Sequence, residues 1–273
     1  MLRTILFALF LAICSTSFAA PALRLLVQEG TSSSGEADYS TKKYQPLATL
    51  LSTYLKRDVQ VSGLSPSRPY DADTLRQGDI LIVRPNAVAG LAIQNLGFQT
   101  VVGLDSGVKS QVLFVGPASL KKAFKSPEDL KKLRFAMPPA DSEVSREALR
   151  MLTAWGVKSD AVTVYNVSLL GTIPFALENK LADVGVIRSD ATVAAKLSSG
   201  NYTILAEGEK MAPWAMLASS KLGNDQLDQL RIAMKSMMNN PEHKAALQGL
   251  RIQNIVDVDA QTYVGAYRRY SAK

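Results

Sequence analysis

The stretch Asp79-Ile80-Leu81-Ile82-Val83-Arg84-Pro85-Asn86 decides how the chain is read. Four consecutive apolar residues follow Gly78 and Asp79, and the turn Arg84-Pro85-Asn86 closes them off. A half-exposed strand would alternate apolar with polar residues, so this run is a strand buried on both faces. A helix from about Ala87 to Leu96 follows it. Upstream, Leu23-Arg24-Leu25-Leu26-Val27 is a second buried run, ending in Gln28-Glu29-Gly30. The Ser- and Gly-rich segment from Thr31 to Tyr39 is expected to be a loop. Leu47, Leu50, Leu51, Tyr54 and Leu55 then recur at helical spacing over Tyr44 to Leu55. A strand over Asp58 to Val61 and a short helix over Asp71 to Arg76, stopped by Gly78, complete the unit. Strands alternating with helices argue for βα units and a mostly parallel sheet.

A second series of the same kind begins near Gln111. Strand-like runs occur at Gln111 to Val115, Leu133 to Met137, Val162 to Tyr165, Asp183 to Ile187 and Tyr202 to Ala206. Between them lie a helix start at Ser126-Pro127, with Ser as N-cap and Pro in the first turn, a helix running to Ala154 after the polar turn Pro138 to Ser145, and helices over Thr172 to Asn179 and Ser189 to Ser198. Trp214 to Ala218 is extended and apolar. Helices over Asp225 to Met238 and from Pro241 to Leu250 follow, and a tail carries Tyr263, Tyr267 and Tyr270.

The composition bounds the chemistry. At 273 residues, with 47% hydrophobic and 20% charged residues, the chain is one large domain or two ordinary ones. One His and one Cys exclude a Cys/His zinc site and an intramolecular disulfide, so no metal and no cofactor is expected. The net charge of +7 comes from scattered basic residues. Their only short clusters, Lys121-Lys122, Lys131-Lys132 and Arg268-Arg269, accompany no nucleic-acid-binding motif, so no nucleic-acid partner is expected. The start of the chain, with Arg3, the apolar run Ile5 to Ile13 and Ser17-Phe18-Ala19, has the layout of a secretory signal, expected at residues 1–19 and cleaved after Ala19. An uncleaved anchor is the bland alternative. Ile13 is too bulky before Cys14 for a lipoprotein site. The exported chain would then hold no Cys, which suits an oxidising compartment.

The order of these elements carries a resemblance. Lys43-Tyr44-Gln45-Pro46-Leu47-Ala48 with Leu55-Lys56-Arg57-Asp58-Val59, the run Ser126 to Ala136, the run Ala176 to Val186, and Leu227 to Met238 with Asn240-Pro241-Glu242 resemble, in sequence order, the phosphate/phosphite/phosphonate family of ABC-transporter periplasmic substrate-binding proteins. The resemblance implies an α/β, bilobed periplasmic-binding-protein fold of type II, with two α/β lobes joined by two hinge strands. Lobe 1 would comprise residues 20–109 and 207–273 and lobe 2 residues 110–206, with crossings near Ser110 and Ala206. It implies a periplasmic, monomeric, non-enzymatic protein that captures a small anionic or zwitterionic ligand in the interlobe cleft for an ABC permease at the inner membrane. The alternative is an accessory protein of the same fold acting on a membrane sensor kinase.

The chain departs from that family where the ligand would sit. The family's Ser/Thr-rich anion turn is matched by Pro138-Pro139-Ala140-Asp141-Ser142-Glu143-Val144-Ser145, which keeps the hydroxyls of Ser142 and Ser145 but adds two carboxylates. Asp141 or Ser142 would cap the helix, and acidic groups there would repel a phosphonate. Arg84 stands at the carboxyl end of a buried strand, where ligands of open α/β sheets collect, and its planar fork suits a carboxylate or phosphate. Asn86 follows it. Arg188 ends the Asp183–Ile187 strand as a second anion partner, and Gln28 and Glu29 end the first strand facing the cleft. The expected ligand-binding set is Gln28, Arg84, Asn86, Ser142, Ser145 and Arg188. Two arginines with Glu29 and an acidic turn favour a zwitterionic or carboxylated ligand over plain phosphate. No Gly-x-Ser-x-Gly, P-loop or Gly-x-Gly-x-x-Gly motif is present. His243 is expected to face solvent, and Trp155 and Trp214 to pack in the core or at the hinge.

Overall fold

The computed structural model describes residues 20–32, 37–65, 71–198 and 201–271; the expected signal segment, residues 1–19, lies outside them. The first strand, β1 (Leu23–Gln28), leads to α1 (Ala37–Leu55), β2 (Val59–Gly63), α2 (Ala72–Leu75), β3 (Ile80–Val83) and α3 (Asn86–Leu96). The chain continues through β4 (Phe98–Asp105), β5 (Val112–Gly116), α4 (Pro127–Leu130), β6 (Arg134–Met137) and α5 (Glu143–Ala154). Then come β7 (Thr163–Asn166), α6 (Ile173–Glu178), β8 (Val184–Arg188), α7 (Thr192–Ser198), β9 (Thr203–Glu207) and β10 (Trp214–Ser219). It closes with α8 (Gly223–Asn239), α9 (Pro241–Gly249), β11 (Asn254–Val256) and α10 (Ala260–Ser271).

These strands form two sheets. One runs β11-β4-β10-β3-β1-β2 and the other β7-β6-β8-β5-β9. The chain passes between them at residues 106–111 and again at 208–213. Neither sheet is mostly parallel. In the first, β3 and β2 flank β1 in parallel, and β10 lies antiparallel to both β3 and β4. In the second, β6 pairs in parallel with β7 and β8, and β5 is antiparallel to β8 and β9. The reason is topological. A strand that returns from the other sheet arrives without a crossover helix, and only a crossover helix restores the parallel direction.

Each sheet is covered by its own core. Leu25, Val27, Tyr44, Leu47, Leu51 and Ile82 bury one face of the first sheet under α1 and α8. Val83, Val88, Ala92, Ala215 and Tyr263 bury the other under α3 and α10. Phe114, Phe135, Leu152, Ile173 and Val186 fill the second lobe. In α3, a Cβ at Gly90 would collide with the Tyr263 carbonyl, so a glycine is what lets α10 lie directly on α3.

Further sequence expectations change. The helix expected from Tyr44 begins at Ala37, inside the expected loop, because Ser40 extends the buried stripe by one turn. β4 and α10 were not expected. β4 mixes buried and exposed positions with no clean period, and the spacing of Tyr263, Val264 and Ala266 leaves only a narrow apolar edge.

Candidate functional site

The two sheets present the same device to each other. Asp79 precedes β3, and its carboxylate accepts the N–H of Arg24 at 2.8 Å while its own N–H donates to the Arg24 carbonyl at 2.9 Å. Asp183 precedes β8 and makes the same pair with Arg134, at 2.9 and 2.8 Å. Five residues after each aspartate comes an arginine at the carboxyl end of the strand, Arg84 in one lobe and Arg188 in the other. Both are buried, at 4% and 3% exposure.

Arg84 sits in a loose setting. Its guanidinium lies over the Trp214 ring, 3.7 Å from the centroid. Nη1 is 3.7 Å from Glu29, and Nη2 is buried with no hydrogen-bond partner. Glu29 is already well served: Lys43 Nζ lies at 2.6 Å, and the Ser40 and Tyr44 hydroxyls donate to it at 3.1 Å each. Burial, helped by the Glu29 charge, pushes the Tyr44 phenol well up, so it stays a donor. Burial lowers Arg84 from its usual range, with neighbouring carboxylates opposing that. Arg84, Glu29 and Lys43 line a cavity of about 220 Å³ that Arg251 and, from the second lobe, Gly171 and Thr192 complete. Arg251 also donates to the Thr192 hydroxyl at 3.1 Å, spanning the lobes.

Arg188 is engaged on nearly every side. Nε donates to Ser110 at 3.0 Å and lies 2.9 Å from Asp190. Nη1 donates to the Arg84 carbonyl at 3.0 Å and meets Glu143 at 3.3 Å. Only Nη2 is buried without a partner. Asp190 also accepts the Trp214 indole N–H at 2.9 Å. Burial works to raise the Asp190 carboxyl, but Arg188, Arg84 and that indole outweigh it and hold it below the usual range. Glu143, the first residue of α5, reaches the other lobe, where its Oε1 accepts the Ala87 N–H at the start of α3, 3.1 Å away. Burial pushes the Glu143 carboxyl up, against the pull of Arg188 and the α3 amides.

The other expected residues are at the same interface with their polar groups engaged. Gln28 donates to the Ser65 carbonyl at 3.2 Å and accepts the Gly30 N–H at 2.9 Å. Asn86 donates to the Ala212 and Pro213 carbonyls, both at 3.2 Å, and so ties α3 to the second crossing segment. Ser142 is the α5 N-cap, accepting the Ser145 N–H at 3.2 Å, and Ser145 donates to the Pro138 carbonyl at 2.7 Å. Sequence reasoning missed Asp190 and Arg251, and it missed the reach of Glu143 across the cleft. The doubled Asp-x-x-x-x-Arg spacing, at 79–84 and 183–188, was the available signal for pairing the two strands. Trp214 does pack at the interface. His243 is only partly exposed: its Nδ1 lies 3.0 Å from the Tyr54 hydroxyl, because α9 packs against α1. Among the described residues, no group of three or more His, Cys, Asp or Glu could hold a metal ion, and no helix is long and apolar enough to cross a membrane.

This arrangement sets two buried arginines between the α/β lobes, each with one unpartnered guanidinium donor. The family model described as "ABC transporter, phosphonate, periplasmic substrate-binding protein" matches residues 30–263. No curated protein matches the chain in sequence. Solved structures do. PhnD1 from Prochlorococcus marinus, in complex with methylphosphonate, is similar with a TM-score of 0.73 and 15% identity over 90% of this chain and 96% of that one. A binding-protein component of an ABC phosphonate transporter from Pseudomonas aeruginosa gives 0.66 and 16%, over 91% and 86%. An ATP-bound protein from Xanthomonas citri gives 0.70 and 13%, over 91% and 98%. At these identities the likeness is one of fold: the bilobed α/β architecture of type II periplasmic binding proteins.

Proposed function

Because the chain belongs to the phosphonate ABC-transporter family of periplasmic substrate-binding proteins, we propose that it captures a small anionic ligand beside Arg84 and delivers it to an ABC importer. Members of this family are substrate-binding proteins of the periplasm, not enzymes. The observation that carries the ligand reading is the unpartnered, buried Nη2 of Arg84, a residue that lines the interlobe cavity. A buried guanidinium donor without an acceptor is expensive, and an oxyanion of phosphonate or carboxylate type supplies that acceptor as a charge-assisted bond.

The cavity of about 220 Å³ suits a ligand of a few heavy atoms. Lys43 and Arg251 add positive charge around it, and Glu29 offers a counter-charge to an ammonium group, so a zwitterion fits as well as a simple anion. Arg84 would contact the ligand directly. Arg188 would brace the Arg84 carbonyl, and Gln28, Asn86, Ser142 and Ser145 would hold the backbone that shapes the cleft. Residues 20–109 and 207–273 would move as one lobe against residues 110–206, bending at the crossing segments. Residues 1–19 would direct export, and the protein would work as a monomer.

The test is thermal unfolding of the purified protein against methylphosphonate, aminoalkylphosphonates, phosphate, sulfate, short carboxylates and amino acids. A ligand at about 100 times its Kd stabilises by about 2.7 kcal/mol, which is a Tm rise of about 5–10 °C for a chain of this size. The rise is expected with one anionic class and is lost in Arg84→Ala. A panel that leaves Tm unchanged with the protein folded overturns the reading.

A further inference from the structure

The Glu143 carboxylate belongs to the second lobe but is bound by the first. Its Oε1 accepts the Ala87 N–H in the first turn of α3, an 11-residue helix. Its Oε2 meets Arg188 Nη1 at 3.3 Å. The residue is 5% exposed. A helix N-terminus backed by a guanidinium is the arrangement that proteins use to seat a phosphate or carboxylate. Arg188 also holds a further buried donor, Nη2, with no partner. That donor is a second, separate sign of an anion seat larger than one carboxylate oxygen pair. At the other candidate terminus, that of α5, the Ser142 hydroxyl already serves as cap.

We propose that Glu143 is a tethered anion: its carboxylate occupies an oxyanion seat made by the start of α3 and Arg188, clamps the two lobes together, and competes with a phosphonate for that seat. This rests on the anion-capture reading above. The charge bookkeeping follows from the geometry. A free dianion entering beside Arg188 meets the Glu143 charge at hydrogen-bond range, so it binds only when Glu143 swings out. A tethered competitor acts at an effective concentration of about millimolar or more, which suppresses the affinity of any free ligand for the same groups. Among small anions, the seat therefore selects for those that bind strongly enough to displace a carboxylate. Weakly held ones are left to the Arg84 cavity.

The experiment compares wild type with Glu143→Ala and Glu143→Gln, in small-angle X-ray scattering and in titration with methylphosphonate. Glu143→Gln keeps an acceptor for the Ala87 N–H and nearly the same volume, so it reports on charge even if the Ala variant folds poorly. Without added anion, Glu143→Ala is expected to have a larger radius of gyration than wild type. It is also expected to bind methylphosphonate at least tenfold more tightly and to contract on binding, with Glu143→Gln intermediate. Scattering profiles that superpose, or an affinity that is unchanged or lower in both variants, overturn the proposal and leave the capture reading intact. Expansion of Glu143→Ala with no methylphosphonate binding by any of the three proteins supports the clamp and counts against phosphonate capture.

Discussion

Arg84 and Arg188 occupy the same place in the two lobes, at the carboxyl end of a strand and five residues after a backbone-locking aspartate. Their surroundings differ. Arg188 is held by Ser110, Asp190, Glu143 and the Arg84 carbonyl, whereas Arg84 rests on an indole face with one carboxylate 3.7 Å away; each keeps a buried Nη2 without a partner. Position in the fold makes both arginines buried. The neighbours decide that one fastens the lobes and the other is left less tightly engaged, which is why the proposed ligand role falls to Arg84.

The widest gap between them should appear in stability. Arg188→Ala leaves Glu143 and Asp190 buried without their main counter-charge, and removing one partner of a buried pair costs about 3–5 kcal/mol. Urea unfolding at neutral pH should show that loss. Arg84→Ala removes packing and a cation–π contact but leaves Glu29 served by Lys43, Ser40 and Tyr44, so about 1–2 kcal/mol is expected. Equal or reversed losses would dissolve the distinction. In ligand binding the order inverts. Losing a bond from Arg84 to an anion is worth about 1.5–3 kcal/mol, so Arg84→Ala should weaken binding by roughly 10- to 100-fold in calorimetry.

A smaller effect tests the link between the two sites. Trp214 carries Arg84 on its face and donates its N–H to Asp190, the partner of Arg188. Trp214→Phe keeps an aromatic face and deletes the bond, leaving a buried carboxylate oxygen short of a donor at a cost of about 1–3 kcal/mol. Its thermal denaturation should be lowered accordingly, with binding weakened less than by Arg84→Ala. Binding weakened as much as by Arg84→Ala would mean that the indole N–H, more than the ring face, sets the Arg84 geometry.

The smallest effect is on pH. The hydrogen bond from Arg134 is the main reason Asp183 lies below its ordinary value of 3.8. A lowered carboxyl stabilises the fold above that value, and the contribution is lost as pH falls below about 4. The pair is partly exposed, so under about 1 kcal/mol is expected. Urea midpoints of wild type and Asp183→Asn should differ at pH 7 and draw together as pH falls below about 4; a gap that stays constant with pH would assign the loss to packing.

The sequence by itself determined much of this protein. The apolar runs at β1, β3 and β8 and the helical spacing of α1 and α8 are local patterns, and burial on both faces of a strand is written in consecutive residues. The order of motifs carried the family, and burial at the interface of Arg84 and Arg188 followed from their place at strand ends. Tertiary structure alone decided the antiparallel strands at the crossings, the packing of α10 on α3 through Gly90, and the division of labour between the arginines. Glu143 shows why. In the sequence it is an acidic residue in the first turn of its own helix, where its own dipole would hold it. Across the cleft, another helix start and Arg188 offer more, and no spacing along one chain segment records a contact between residues 56 positions apart.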